Sequence, residues 1–174
     1  MQPIGELRRL ALLRSLAILD TPAEDCYDRM TRLLCRILDV PMAGLALVDE
    51  HRLWFKSGRG GLNSELNRDD SFCTHTILQD TPMVVCDARL DEQFRHLSMV
   101  KGEPHAVFYA GCPIKLGQGL NVGTLCVFDT KPRELTSEDI QFLEDVCQTA
   151  ANEMRAKLFK DIYGQKVLAG SGHD

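Results

Sequence analysis

The sequence predicts an α+β domain, in which one antiparallel sheet is combined with helices from both ends of the chain. Helical patterns lie at 4–19, at 21–38 and from 136 onwards, whereas short apolar runs bounded by turn residues fill the middle. The turns at Asp49–His51 and Gly117–Gly119 are short enough to join neighbouring strands as hairpins, which argues against a doubly wound parallel sheet.

Two amphipathic helices are predicted before the sheet. The first spans Ile4–Leu19, where apolar residues recur at helical spacing. The second has Thr21 as its predicted N-cap, Pro22 at the first helical position and Glu24 completing a capping box. It runs to about Leu38, and its apolar stripe is expected to be buried. The stripes are Leu7, Leu12, Leu16 and Leu19 in the first helix, and Tyr27, Met30, Leu34 and Ile37 in the second.

Strands are predicted where short apolar runs lie between turn residues. Two polar excursions, Gly58–Asp70 and Asp87–Glu103, interrupt the series, and a short helix is predicted over Ser71–Gln79. The runs are expected to pair as one antiparallel sheet. They are Ala43–Asp49, Arg52–Lys56, Met83–Cys86, Ala106–Leu116 and Asn121–Asp129.

A last helix is predicted after Thr136, which is its expected N-cap. One apolar face favours packing on the domain's own sheet, packing against a second subunit, or both. A single domain is expected over 1–160, followed by a tail at 161–174 that carries little apolar content and is expected to fray. The apolar face consists of Ile140, Leu143, Cys147, Ala150 and Met154.

Composition and charge limit the class of partner. Twenty Lys and Arg against 25 Asp and Glu give a net charge of −5, which disfavours nucleic acid and anionic membrane surfaces. No apolar run approaches the roughly 20 residues that cross a bilayer, and Met1–Glu6 lacks the pattern of a secretory signal. The seven cysteines are scattered and never spaced as C-x-x-C, which predicts free thiols in a reducing, cytoplasmic compartment.

Several segments, in their order along the chain, together resemble a bacterial GAF domain of the sensory subgroup over about residues 5–157. The resemblance implies a profilin-like antiparallel sheet of five or six strands, with the terminal helices on one face and loops and short helices over a pocket on the other. It rests most on Ser71–His75, with the pattern Ser-Phe-Cys-x-His, and on Gly123–Asp129, with the pattern Gly-Thr-Leu-Cys-x-x-Asp. The other segments are Leu19–Pro22, Val48–Glu50, Trp54–Ser57, Asp87–Arg89, Phe108–Gly111 and Thr130–Arg133.

The implied role is non-catalytic sensing of a small molecule in bacterial signal transduction. Binding would order the two polar excursions and change the packing of the terminal helices in a homodimer. A histidine kinase or a diguanylate cyclase is the implied output partner, because the subgroup usually precedes such domains. The sequence identifies neither the ligand nor a cofactor, and no metal site is expected.

The candidate ligand-binding residues lie on the loops and on the strands that the resemblance places centrally. Ser71 as N-cap puts Cys73 and Thr74 in a first helical turn, where backbone N–H groups favour an anion and lower a thiol pKa. Cys73 as a small buried side chain, His75 as a structural histidine and Asp87 as a turn cap remain the alternatives. The candidates are Phe55, Ser71, Cys73, Thr74, His75, Asp87, Phe94, Phe108, Tyr109, Cys112 and Thr124.

Three other functions remain open. Free methionine-(R)-sulfoxide reductases share the implied fold and use paired cysteines, so Cys73 with Cys86 or Cys112 is a possible catalytic pair. A dimerisation scaffold without a ligand is the second, and a covalent bilin on Cys73 is the third. The bilin is the weakest of these because Thr74 separates Cys73 from His75.

Overall fold

Six strands form one antiparallel sheet, in the order β3-β2-β1-β6-β5-β4, in a computed structural model that describes residues 3–62 and 65–170. This confirms the predicted α+β class and the antiparallel sheet. The strands are β1 (Met42–Val48), β2 (Arg52–Arg59), β3 (Glu65–Asn67), β4 (Met83–Val85), β5 (Phe108–Gly117) and β6 (Leu120–Asp129). The helices are α1 (Pro3–Ser15), α2 (Asp25–Ile37), α3 (Phe72–Thr76), α4 (Ser98–Lys101) and α5 (Ser137–Gly170), with a 3₁₀ turn at Arg68–Asp70 before α3.

Both predicted hairpins are present. β1 pairs with β2 and β5 pairs with β6, and Gly119 adopts the positive φ of +64° that the second turn requires. The sequence did not predict β3, which pairs with Arg52–Trp54 from within the first excursion. Three residues are too short for an alternating pattern to be visible.

The two faces of the sheet carry different layers, as the resemblance implied. Helices α1, α2 and α5 cover one face, called here the helix face, where Trp54 and Met154 are buried. The excursions, α3 and α4 cover the other, called the loop face, where Phe55 is buried. Trp54 and Phe55 therefore point to opposite sides, as strand alternation predicts. The apolar face of α5 packs on the domain's own sheet.

The predicted stripe of α1 was partly wrong. Leu7 is 68% exposed and the helix ends at Ser15, while Leu10 and Leu13 are buried. Arg9 is also fully buried on this inner side, since Glu6 and the Val48 carbonyl accept its guanidinium hydrogen bonds. The tertiary hydrogen bond from Arg9 to Val48 thus selected one face of a helix whose leucines are compatible with more than one.

The predicted capping box of α2 was wrong. The N-cap residue is Glu24, whose side chain makes no capping bond because it pairs with Lys56 at 2.7 Å. The Lys56 ammonium also donates to the Thr21 hydroxyl at 2.7 Å, and that hydroxyl donates to the carbonyl of Ile18. A buried lysine from β2 therefore occupies the groups that the local pattern assigns to the cap.

The capping prediction for α5 was correct. The Thr136 hydroxyl accepts from the Asp139 amide at 3.1 Å, and the Asp139 carboxylate accepts from the Thr136 amide at 2.9 Å. The helix continues through Gly170 for 34 residues, about 50 Å, which is past the predicted domain end at residue 160. Positions 171–174 of the predicted tail lie outside the described residues. Within 3–62 and 65–170, no helix is both long and apolar enough to cross a membrane.

Candidate functional site

Aromatic side chains fill the interior between the sheet and the loops. Phe72 of α3 stacks on Tyr109 of β5 with ring centroids 4.6 Å apart, and Phe94 lies 5.0 Å from Phe72. Phe128 of β6 lies 5.2 Å from Tyr109. The space in which the resemblance places a pocket is thus a packed aromatic cluster.

Two glycines make this packing possible. A Cβ on Gly111 would lie 2.0 Å from the Tyr109 hydroxyl oxygen, and a Cβ on Gly44 would lie 2.7 Å from the ring of Phe55. Real Cβ atoms do not approach other atoms so closely. The rings of Tyr109 and Phe55 therefore lie flat on the sheet because the chain has no side chain beneath them.

A group of buried polar atoms surrounds Cys73 under α3. The Thr124 hydroxyl donates to the Cys73 sulfur at 3.0 Å, and the Cys126 sulfur lies 4.0 Å from it. The Tyr109 hydroxyl lies 3.7 Å from the Cys73 sulfur and 2.7 Å from the Thr76 hydroxyl, so it donates to sulfur when Thr76 donates to it. We call Cys73, Cys126, Thr124, Tyr109 and Thr76 the thiol cluster.

The cluster separates the acidities of its two thiols. Burial raises the pKa of Cys73, but hydrogen bonds from Cys126, Thr124 and Tyr109 outweigh it, and the pKa lies below its ordinary value. Burial and the neighbouring charge of Cys73 raise the pKa of Cys126 well above its ordinary value. Burial likewise raises the pKa of the Tyr109 hydroxyl, which remains a neutral donor. Cys73 is thus the thiol that ionises first.

Helix α3 is fixed at its N-terminus by the 3₁₀ turn. Ser71 is the N-cap, as predicted, and its hydroxyl accepts from the Thr74 amide at 3.3 Å. The hydroxyls of Ser71 and Thr74 also donate to the Arg68 carbonyl. Asp70 accepts hydrogen bonds from the amide and the hydroxyl of Ser98 at the start of α4. One turn of chain therefore holds both short helices of the loop face.

The same turn reaches α1 on the helix face. The Arg68 guanidinium donates to Glu6 at 2.6 Å and to the Asp49 carbonyl at 3.1 Å. Glu6 also accepts two bonds from the buried Arg9. The hydrogen bonds from Arg9 have the largest effect on the pKa of Glu6 and lower it. Burial, the next largest effect, raises the pKa, and the hydrogen bond from Arg68 lowers it further, so that the pKa is about 2. A continuous polar connection thus runs from α4 through the 3₁₀ turn to α1.

Two candidate residues make local structural contacts. The His75 ring faces outward from α3, where its Nδ1 lies 2.8 Å from the Gln93 amide nitrogen and its edge meets Phe94. Burial, followed by the charge of His96, lowers its pKa. Asp87 accepts from the amide and the guanidinium of Arg89 and so caps its own turn. The Arg89 hydrogen bonds lower the Asp87 pKa.

The structure does not bring all eleven candidates together. Phe108 and Cys112 lie on the helix face, where Cys112 neighbours Cys147 of α5. Cys86 is exposed after β4. Neither partner proposed for Cys73 is therefore beside it. The candidates that share the loop face are Phe55, Ser71, Cys73, Thr74, His75, Asp87, Phe94, Tyr109 and Thr124.

Among the described residues, the loop face has two open grooves. One, of about 370 Å³, is lined by residues from both excursions, among them Leu62, Leu66 and Met99. The other, of about 420 Å³, is lined by Arg89, Arg95, His96, Val100 and Lys101, and we call it the basic groove. Its four basic side chains are exposed, and Arg89 is paired with Asp87. Two of the lining residues, Val100 and Lys101, belong to α4.

The basic groove, the Arg68 connection and the role of Cys126 were not predicted from the sequence. For Cys126 a signal was available, because Thr124 and Cys126 are two positions apart on β6 and their side chains therefore point to the same face of the sheet. The others depend on contacts between residues distant in sequence.

A family model described as GAF domain matches residues 22–154. A cyclic di-GMP phosphodiesterase from Pseudomonas aeruginosa is 36% identical over 143 residues, which cover 82% of this chain and 24% of that protein. This chain thus spans about a quarter of the length of that relative.

Solved structures with low identity share the fold. The GAF domain of an Acinetobacter phosphoenolpyruvate-protein phosphotransferase has a TM-score of 0.65 at 18% identity, covering 90% of this chain and 95% of that chain. Free methionine-R-sulfoxide reductase from Neisseria meningitidis has a TM-score of 0.63 at 14% identity, covering 90% and 93%. The match to the family model covers the whole described sheet, α2 and the first half of α5. The chain belongs to the GAF domain family.

Proposed function

We propose that this chain is a non-catalytic regulatory domain of a bacterial signalling protein, which binds a small anionic molecule in the basic groove. Four basic side chains around one open groove provide the chemistry for an anion with several charges. The filled aromatic interior leaves little room for a ligand there, which supports a site at this margin of the loop face. The relative named as a cyclic di-GMP phosphodiesterase supports an output enzyme of cyclic di-GMP signalling.

The connection through Arg68 is the observation that carries this proposal. A ligand in the basic groove contacts Lys101 of α4, and α4 begins at Ser98, which is bonded to Asp70. Arg68 in the same turn is bonded to Glu6 of α1. A ligand that prefers one position of α4 therefore also prefers one position of α1, which is the differential affinity that a sensor needs.

The experiment measures binding and its transmission separately. With pyrophosphate as the probe, we expect calorimetric binding to the parent chain and at least tenfold weaker binding for Lys101→Ala. Arg32→Ala, which removes an exposed charge from α2, is the control and should bind as the parent does. Binding that is absent from the parent, or equal in Lys101→Ala, contradicts the proposal.

Transmission is measured by hydrogen exchange in α1. Pyrophosphate should change amide protection in α1 of the parent, and Arg68→Gln should keep the binding but lose that change. An unchanged response in Arg68→Gln would contradict the proposed connection while leaving the groove as a binding site.

We also propose that the terminal helices form a homodimer interface, because large apolar side chains remain exposed on them. Leu7→Glu should shift the chain towards monomer in analytical ultracentrifugation. Leu90→Glu is the control, since Leu90 is exposed on the loop face excursion. A parent that sediments as a monomer contradicts the interface. The exposed residues are Ile4, Leu7, Leu33, Ile37 and Phe159.

A reductase of free methionine-(R)-sulfoxide is the second candidate function. The observation that favours it is a cysteine of lowered pKa with a second thiol 4.0 Å away, Cys73 and Cys126. Turnover of the free R-sulfoxide with a dithiol reductant, lost in Cys73→Ser, would support this function. No turnover in the parent would exclude it.

A further inference from the structure

We propose that Cys73 and Cys126 are an oxidant-responsive pair, which a hydroperoxide converts into a disulfide beneath α3. This inference goes beyond ligand binding in the basic groove, because the signal is a covalent change inside the loop face. It requires neither the proposed ligand nor a sulfoxide substrate.

Two pairs of cysteines are neighbours, Cys73 with Cys126 and Cys112 with Cys147, and in the first pair the Cys73 sulfur has hydroxyl donors directed at it. The two sulfurs of the first pair are 4.0 Å apart, and only the rotation of side chains and a small shift of α3 separate this distance from the bond length of about 2 Å. Cys73 is on a short helix and Cys126 is on a central strand, so the bond would join the loop layer to the sheet. Cys26 and Cys35 lie on α2 and Cys86 is exposed, away from the cluster.

The hydroxyls of the cluster prepare Cys73 for attack. Thr124 and Tyr109 both direct hydrogen-bond donors at its sulfur, which favours the thiolate over the thiol. A thiolate is the nucleophile in reactions with peroxides. Cys126 stays protonated while Cys73 is a thiolate, because burial and the neighbouring charge of Cys73 raise its pKa. Once Cys73 is a neutral sulfenic acid that charge is gone, so Cys126 can give up its proton in the second step.

The chemistry balances with one hydroperoxide. The Cys73 thiol ionises, and its thiolate attacks the terminal peroxide oxygen. An S–O bond forms and the O–O bond breaks, giving a sulfenic acid, and the alkoxide takes up the proton that Cys73 released and leaves as the alcohol. The Cys126 sulfur then attacks the Cys73 sulfur, the S–O bond breaks, and hydroxide leaves with the Cys126 proton as water. Two thiols and one hydroperoxide become one disulfide, one alcohol and one water.

Access requires α3 to open, because the exposed fraction is 1% for Cys73 and 0% for Cys126. Helix α3 has five residues, and a helix of this length is stable only through its tertiary contacts. Local opening of such elements occurs in native proteins without global unfolding. A small peroxide therefore reaches the sulfur during opening, whereas a bulky alkylating reagent reacts more slowly.

Disulfide formation would shorten the distance between the two sulfurs from 4.0 Å to about 2 Å, so it would move α3 towards β6 by up to about 2 Å. Ser71 and Thr74 bind α3 to the Arg68 carbonyl, so the 3₁₀ turn follows this movement. The Arg68 side chain contacts Glu6, which places α1 at the end of the same path. Oxidation would thus act on the terminal helix that the proposed ligand also affects.

The test maps disulfides after treatment of the full chain with hydrogen peroxide. Remaining thiols are alkylated in denaturant, and peptides are identified by mass spectrometry. We expect a linked pair of peptides containing Cys73 and Cys126, with a mass two hydrogens below that of the free thiols. Cys86→Ser should form the same link, because Cys86 takes no part in the reaction.

Cys126→Ala keeps Cys73 but removes its partner. In this variant we expect no link and a trapped sulfenic acid on Cys73, detected with a dimedone probe. If Cys126→Ala does not fold, the parent and Cys86→Ser still decide the matter. The proposal would be overturned if Cys73 and Cys126 both remained free thiols under conditions that fully oxidise Cys86. A link of Cys73 to another cysteine, or a link between Cys112 and Cys147 alone, would also overturn it. Pyrophosphate binding is measured independently, so the failure of either proposal leaves the other standing.

Discussion

Replacing Glu6 by Gln tests the connection between α1 and the loop face through stability. Glu6 accepts bonds from Arg9, which is fully buried, and from Arg68. Its pKa falls from the ordinary 4.5 to about 2, and at about 1.4 kcal/mol for each pKa unit this corresponds to about 3 kcal/mol. The range for breaking one partner of a buried ion pair, about 3–5 kcal/mol, is consistent with this magnitude. We therefore expect Glu6→Gln to lower the free energy of unfolding by about 3 kcal/mol at pH 7.

The pH dependence gives this prediction a specific signature. Because folding lowers the Glu6 pKa, the contribution of Glu6 to the free energy of unfolding is fully present above pH 4.5 and is lost as the pH falls towards 2. The difference between parent and Glu6→Gln should therefore be constant near neutrality and shrink across this acidic range. Urea unfolding followed by circular dichroism at a series of pH values measures both quantities.

Glu50→Gln is the matched control, because it makes the same chemical change in an ion pair with Arg14. The two side chains of that pair are 58% and 52% exposed, so solvent screens the interaction. We expect a loss below about 1 kcal/mol for the control. A Glu6→Gln effect as small as this, or one that is the same at pH 7 and pH 3, would refute the assigned role of Glu6.

Three further changes test the packing of the loop face and the start of α5. Gly111→Ala should cost about 2 kcal/mol in urea unfolding because its Cβ meets the Tyr109 ring, whereas Gly117→Ala, whose Cβ makes only ordinary contact, should stay within about 0.5 kcal/mol. Tyr109→Phe should cost about 1 kcal/mol and raise the Cys73 pKa, measured by thiolate absorbance, since one donor to the sulfur is removed. Thr136→Ala should cost about 1 kcal/mol through the lost N-cap, and an unchanged unfolding midpoint would contradict that assignment.

The features predicted correctly from the sequence depend on neighbours along the chain. A strand alternates its side chains with a period of two, so Trp54 and Phe55 had to face opposite sides. Thr136 and Asp139 are three residues apart and cap each other without help from the rest of the fold. Ser71 caps α3 for the same local reason.

The features that were missed depend on partners far along the chain. Thr21 is a residue type that favours the N-cap position, but its hydroxyl accepts a hydrogen bond from Lys56, which lies 35 residues later in the chain. Arg9 would be exposed in an isolated amphipathic helix, yet it is buried with the Val48 carbonyl of β1. No sequence pattern of charge indicates such contacts.

The aromatic interior was also beyond local prediction. The segment Phe108–Gly111 suggested a lining for an open pocket, because its aromatic residues alternate on a strand near the centre of the sheet. Whether a ring leaves a cavity or fills it depends on the surface beneath it. Gly111 leaves no Cβ under Tyr109, and α3 supplies Phe72 to stack on it from above. The same residues that suggested a pocket therefore close it.

A closed interior changes how this domain can receive a signal. A ligand cannot lie between the sheet and α3 without displacing the stacked rings of Phe72 and Tyr109, so reversible binding is easier at the margin. A disulfide between Cys73 and Cys126 adds no atoms to the interior, since it shortens an existing contact. Both proposed inputs would act on elements that the Arg68 turn holds, α4 through Asp70 and α3 through the Arg68 carbonyl. Glu6 is bonded both to Arg68 of that turn and to the fully buried Arg9, so a displacement of the turn would reach α1 through a group whose loss would leave a buried charge without its partner.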